Sequence, residues 1–109
     1  MAERVTTGIW IVPTNDEAFI AAWSTFATWA SRQPGAGTLR LARDAADTQR
    51  YVSYAAWDSA EAVQAWKADP EFKEHLAAVL QHVDEFHSTE LEVVAVGSPA
   101  RTVPVDVNQ

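Results

Sequence analysis

The sequence contains no cysteine, which excludes disulfides, thiolate metal sites and cysteine nucleophiles together. Basic residues are scarce: eight Lys and Arg stand against fifteen Asp and Glu, a formal net charge of −7. That balance repels phosphate backbones and anionic lipid. Arg40, Arg43 and Arg50 are interleaved with Asp44 and Asp47 rather than clustered, so neither nucleic acid nor a membrane is expected as a partner. The opening stretch MAERVTTGIW carries charge at Glu3 and Arg4 and lacks the apolar run of a signal peptide; a cytoplasmic location is expected. The three histidines, His75, His82 and His87, show no spacing of a metal motif, and no metal is expected. There is no internal repeat and no low-complexity segment.

What is present is ordinary in bulk and unusual in one residue type. Hydrophobic residues at 48% and charged residues at 21% of 109 fit a globular domain, with neither disorder nor a membrane span indicated. A chain of this length forms one core and buries roughly 60–70% of its unfolded surface. Five of its residues are tryptophan.

Val5 to Val12 is rich in β-branched residues and stops at Pro13, as a first strand should. Thr14 with Glu17 matches a capping box, and Phe19, Trp23, Phe26 and Ala30 recur at helical spacing to about Arg32. The breakers Gln33 to Gly37 end that helix. Leu39 to Arg43 and Tyr51 to Trp57 read as a hairpin about a polar turn. Asp58 with Glu61 repeats the capping pattern before a helix through Val63 and Trp66. Asp69-Pro70 then restarts it, with Phe72, Leu76, Val79, Leu80 and Val83 as one apolar stripe. The valine-dense run Thr89 to Val96 reads as a fourth strand. This order, βαββαβ, is the ferredoxin-like α+β arrangement: an antiparallel four-stranded sheet with two helices on one face.

Two helices cover only one sheet face, yet Ile9, Ile11, Leu39, Leu41, Val52, Tyr54 and the valines of the fourth strand indicate that neither face is fully polar. A second copy of the sheet would cover the bare face, so a homodimer closing into an α+β barrel is expected. Alternation puts Tyr51, Ser53, Ala55 and Trp57 on one face, with Thr6, Gly8, Trp10 and Val12 beside them. If that face meets the helices, Trp10, Trp57, Trp66, Trp23 and Phe26 converge, and the small residues Gly8, Ser53 and Ala55 leave room. A ligand cavity follows, with a filled aromatic core as the alternative. His75, bordering the apolar stripe, is a candidate general base because its ordinary pKa lies near neutrality; a structural histidine is the alternative. Tyr51 and Tyr54 are possible donors to an oxyanion.

The stretches PGAGTLRLARD and YVSYAAWDSAEAVQAWKADPEFKEH resemble the antibiotic biosynthesis monooxygenase family of dimeric α+β barrels, over roughly residues 5–97. A single such domain is expected over 1–97, and the tail 98–109, SPARTVPVDVNQ with two prolines and little amphipathic pattern, is expected to be flexible or a dimer arm. The resemblance also implies cofactor-independent oxidation of an aromatic polyketide-like or quinol substrate by dioxygen, without metal or flavin. The family's strand-three tryptophan matches Trp57. Two asparagines of related enzymes fall at Gly8 and Ser53, of which Ser53 retains a hydrogen-bond donor. The expected catalytic residues are therefore Ser53, Trp57 and His75. The expected substrate-binding residues are Trp10, Trp23, Phe26, Tyr51, Trp66 and Phe72. A non-catalytic aromatic-ligand-binding dimer is the alternative. The haem-degrading branch is a further one, resembled through Trp66, with His75 one residue before the position its axial histidine would take, Leu76.

Overall fold

The computed structural model describes residues 3–98. Strand β1 (Arg4–Ile11) leads to helix α1 (Asp16–Ala30), then strands β2 (Ala36–Arg43) and β3 (Arg50–Trp57). Helices α2 (Ala60–Ala68) and α3 (Pro70–Leu80) precede strand β4 (Glu85–Glu92). The four strands form one antiparallel sheet in the order β2-β3-β1-β4. This is the expected ferredoxin-like α+β fold, with its second helical segment divided in two.

The alternation of β1 and β3 survives intact. Thr6, Gly8 and Trp10 are buried beneath the helices together with Tyr51, Ser53, Ala55 and Trp57, while their neighbours along each strand are half-buried or exposed. Register places Gly8 opposite Ser53 and Thr6 opposite Ala55. Helix α1 buries Phe19, Trp23, Phe26 and Ala30, the residues its spacing marked.

The turn after α1 depends on Gly35, whose φ of 84° lies in the left-handed region that side chains disfavour. A Cβ there would also stand 2.7 Å from the Ala62 Cβ. The Gly35 carbonyl accepts the Asp58 N–H at 2.9 Å, tying this turn to the entry of α2.

Both expected capping boxes are displaced by one residue. Helix α1 starts from Asn15, held at φ 55° with no side-chain cap bond; asparagine tolerates that conformation better than Thr14 does. Helix α2 is capped by Ser59, whose Oγ accepts the Ala62 N–H at 3.2 Å. Asp69 behaves as expected: its extended backbone ends α2, and its side chain accepts the Glu71 N–H at 2.9 Å ahead of Pro70.

The fourth strand corrects the reading that placed it at Thr89 to Val96. Arg4 to Ile11 pairs with Glu92 to Glu85, so β4 begins four residues earlier, straight after the α3 turn. Val94 and Val96 are 88% and 76% exposed. Strands exist where a partner offers an open edge, and β propensity without such a partner specifies nothing. Of the expected tail 98–109, residues 99–109 lie outside the described residues.

Candidate active site

Between the sheet and the three helices lies a cavity of about 220 Å³. Helix α1 supplies Trp23 and Phe26, α2 supplies Trp66, and α3 supplies Phe72 and Leu76. The sheet contributes Trp10, Ser53 and Ala55 from its central strands, Leu39 from β2, and Phe86 and Ser88 from β4. The helix side of the wall is therefore aromatic and aliphatic, while the sheet side adds the hydroxyls of Thr6, Thr7, Ser53, Tyr54, Ser88 and Thr89.

Aromatic contacts fix this wall. Trp10 stacks on Phe86 with centroids 4.2 Å apart. Trp66 meets Phe72 edge-on at 4.8 Å and Phe26 at 5.9 Å. Such pairs contribute about 0.5–1.5 kcal/mol each beyond their buried area, so the rings are held rather than free to collapse inward.

Six of the nine expected site residues line the cavity: Ser53, Trp10, Trp23, Phe26, Trp66 and Phe72. Three do not. Trp57 packs against Trp66 at 4.5 Å and is 1% exposed, so it backs the wall instead of forming it. Tyr51 packs on Phe19 at 5.0 Å, and its hydroxyl donates to Asp16 Oδ2 at 3.1 Å while accepting from Arg43 Nε at 3.0 Å. The Tyr51 hydrogen bond, reinforced by Asp16, raises the Arg43 pKa above its ordinary value. His75 stacks on Trp29 at 4.9 Å and lines an outer groove with Arg32 and Glu71. On a helix one residue turns a side chain by about 100°; Leu76 faces the cavity and His75 does not.

The polar groups are paired in a specific way. The Trp10 indole N–H donates to Ser53 Oγ at 2.9 Å, and the Trp57 indole N–H donates to Thr6 Oγ1 at 3.0 Å. Both hydroxyls are buried and both residues line the cavity. Gly8 makes the first pair possible, because a Cβ there would stand 2.8 Å from both Ser53 Oγ and Trp10 Nε1. The Trp66 indole N–H is buried without a partner among the described residues. At the rim, Lys67 lies 3.8 Å from Glu90, which also pairs with Arg4 at 3.0 Å.

Sequence reasoning missed Leu39, Leu76, Phe86, Ser88 and Lys67 as lining residues. Phe86 and Ser88 were hidden by the misplaced fourth strand, and correct pairing with β1 would have revealed them. Among the described residues no group of three or more His, Asp or Glu is arranged to hold a metal ion, and no helix is long and apolar enough to cross a membrane.

The sequence matches the antibiotic biosynthesis monooxygenase family over residues 4–78. No curated protein matches it. Among solved structures, SnoaB, a cofactor-independent oxygenase from Streptomyces nogalater, is 22% identical with a TM-score of 0.74, covering 90% of this chain and 97% of that one. A point mutant of the same enzyme is 23% identical at a TM-score of 0.75, covering 88% and 95%. A Caulobacter crescentus protein assigned to the antibiotic biosynthesis monooxygenases is 18% identical at a TM-score of 0.77, covering 86% and 92%. At these identities the likeness is one of fold.

Proposed function

The chain belongs to the antibiotic biosynthesis monooxygenase family, and we propose that it is a cofactor-independent monooxygenase acting on a hydroxylated aromatic compound, a quinol or a small polyketide-like phenol. The observation that carries this reading is the aromatic-walled cavity with buried hydroxyls in its wall. A flat apolar ring fits between such walls, and a hydroxyl donor stabilises an oxyanion strongly where water is excluded. The volume of about 220 Å³ falls below the roughly 300–1,000 Å³ of drug-sized sites. It favours one or two fused rings over a larger polycycle.

The chemistry follows from the substrate anion. The ring loses a proton from an activated carbon, the anion passes an electron to dioxygen, and recombination forms a carbon–oxygen bond as a peroxide. Breaking the O–O bond with loss of the remaining hydrogen on that carbon leaves one oxygen atom as a carbonyl and releases the other as water. Dioxygen is the oxidant and the substrate carbon the reductant. The protein's part is to hold the ring, exclude water and stabilise the anion, with Ser53 as the donor and Trp66 and Phe72 orienting the ring. His75, facing the outer groove, has no part as base.

A second reading is a binding module of the same fold that holds an aromatic ligand without turnover, supported by Gly8, which offers no side chain at the strand position opposite Ser53. Haem does not fit: Leu76 occupies the wall where an axial histidine would be needed, and the cavity is small for a macrocycle. The helix-free sheet face carries Val5, Ile9, Ile11, Val52, Tyr54 and Leu91, which supports a homodimer formed through that face.

The test is anaerobic titration with 1,4-naphthohydroquinone and with 1,4-benzohydroquinone, followed by tryptophan fluorescence, then admission of oxygen. Saturable quenching and oxygen uptake above the protein-free rate are expected. Trp66→Ala should slow uptake by on the order of a hundredfold, since misplacing a bound ring is costly to the rate. Quenching with no added uptake would replace the enzyme with the binding module.

A further inference from the structure

We infer that the cavity recognises a ring system bearing two oxygen acceptors, one held by Ser53 and the other by Thr6, each hydroxyl being set as a donor by its own tryptophan. The inference rests on the cavity being the ligand site.

The direction of these bonds follows from chemistry alone. An indole N–H has no lone pair to offer, so it donates and the hydroxyl accepts. Trp10 thereby occupies a lone pair of Ser53 Oγ, and Trp57 one of Thr6 Oγ1. Each hydroxyl keeps its own hydrogen. Among the described residues neither oxygen has an acceptor for it, and each residue is only 8% exposed and lines the cavity. A buried donor without an acceptor is unfavourable, and the space in front of both is the cavity. Accepting one hydrogen bond also polarises a hydroxyl and strengthens the one it donates.

The sheet sets the spacing. Thr6 lies opposite Ala55 and Ser53 opposite Gly8, so the two hydroxyls sit on a diagonal of adjacent strands, about 7–8 Å between backbones and less between side chains. Two oxygens borne by one ring or two fused rings match such a pair. A quinol monoanion or a hydroxyquinone has that form. Trp10 and Trp57 act through the hydroxyls and are positioning residues.

The probes are 2-hydroxy-1,4-naphthoquinone, 2-naphthol and naphthalene, titrated by fluorescence against the whole chain. Ser53→Ala and Thr6→Val should each weaken the hydroxynaphthoquinone by about tenfold, in line with hydrogen bonds to charged acceptors, and leave naphthalene within about twofold. Only one of the two should affect 2-naphthol. Trp10→Phe and Trp57→Phe, which keep a ring and delete the N–H, should weaken the hydroxynaphthoquinone by about two- to fourfold more than they weaken naphthalene. Ser53→Thr and Thr6→Ser should retain affinity. If hydroxynaphthoquinone binding ignores both hydroxyl deletions, the two-point site is wrong while the cavity reading stands. If none of the three compounds binds, both fall.

Discussion

Gly8 shows how one residue without a side chain decides the character of the site. The space a side chain would need at this strand position is filled by the Trp10–Ser53 hydrogen bond. Gly8→Ala should therefore act on two quantities at once. Forcing a Cβ to 2.8 Å from two packed atoms should destabilise the fold by about 1–3 kcal/mol, the usual cost of overpacking, read by urea unfolding. The same change should separate Trp10 from Ser53 and lower affinity for the hydroxynaphthoquinone more than for naphthalene. Equal loss for both compounds would mean that the pair serves packing alone.

Elements are set here as much by what they join as by their own residues. The break between α2 and α3 was legible in Asp69-Pro70, because a capping side chain beside a proline at the first helical position is a local signal. Asp69 ends one helix and caps the next, and the break lets Trp66 and Phe72 meet edge-on over the cavity. Asp69→Ala should cost about 1 kcal/mol, as cap removal typically does, measured by thermal or urea unfolding; Asp69→Asn should lose much less. By contrast, the start of β4 was not legible. Glu85, Phe86, His87 and Ser88 carry weak β propensity as a group, and the valines after Glu92 carry strong propensity, yet β1 pairs with the former. The hairpin turn lay between: its interleaved charges become the Arg50–Asp44 pair at 2.9 Å. The Ala46 N–H, with Arg50 assisting, holds the Asp44 carboxyl below its ordinary pKa.

At the scale of the molecule, the sheet has one face under helices and one without. Tyr54 and Leu91 are 45% and 48% exposed on the open face, beside half-buried Val5, Ile9 and Val52. A second copy would pair this face with itself, and equilibrium sedimentation should give twice the chain mass. Tyr54→Arg combined with Leu91→Arg should shift the protein to monomer, because unpaired charge at the centre of an apolar contact is disfavoured by several kcal/mol. A wild-type protein that sediments as a monomer would remove the barrel.

The sequence by itself determined the order of the elements, the face on which each β1 and β3 side chain lies, and the aromatic supply to that face. These follow from a period of two in strands and 3.6 in helices, which are properties of the backbone near each residue. Only the tertiary structure decided which rings border open space and which pack behind them. Trp57 was expected as a catalytic residue and Trp66 as a substrate contact, but Trp66 lies at the wall with Trp57 behind it. It also decided that His75 faces away and that Thr6 lies with Ser53 in the cavity wall. Those outcomes depend on how helices settle over a sheet and on which strand finds which edge, and neither is encoded within a single segment.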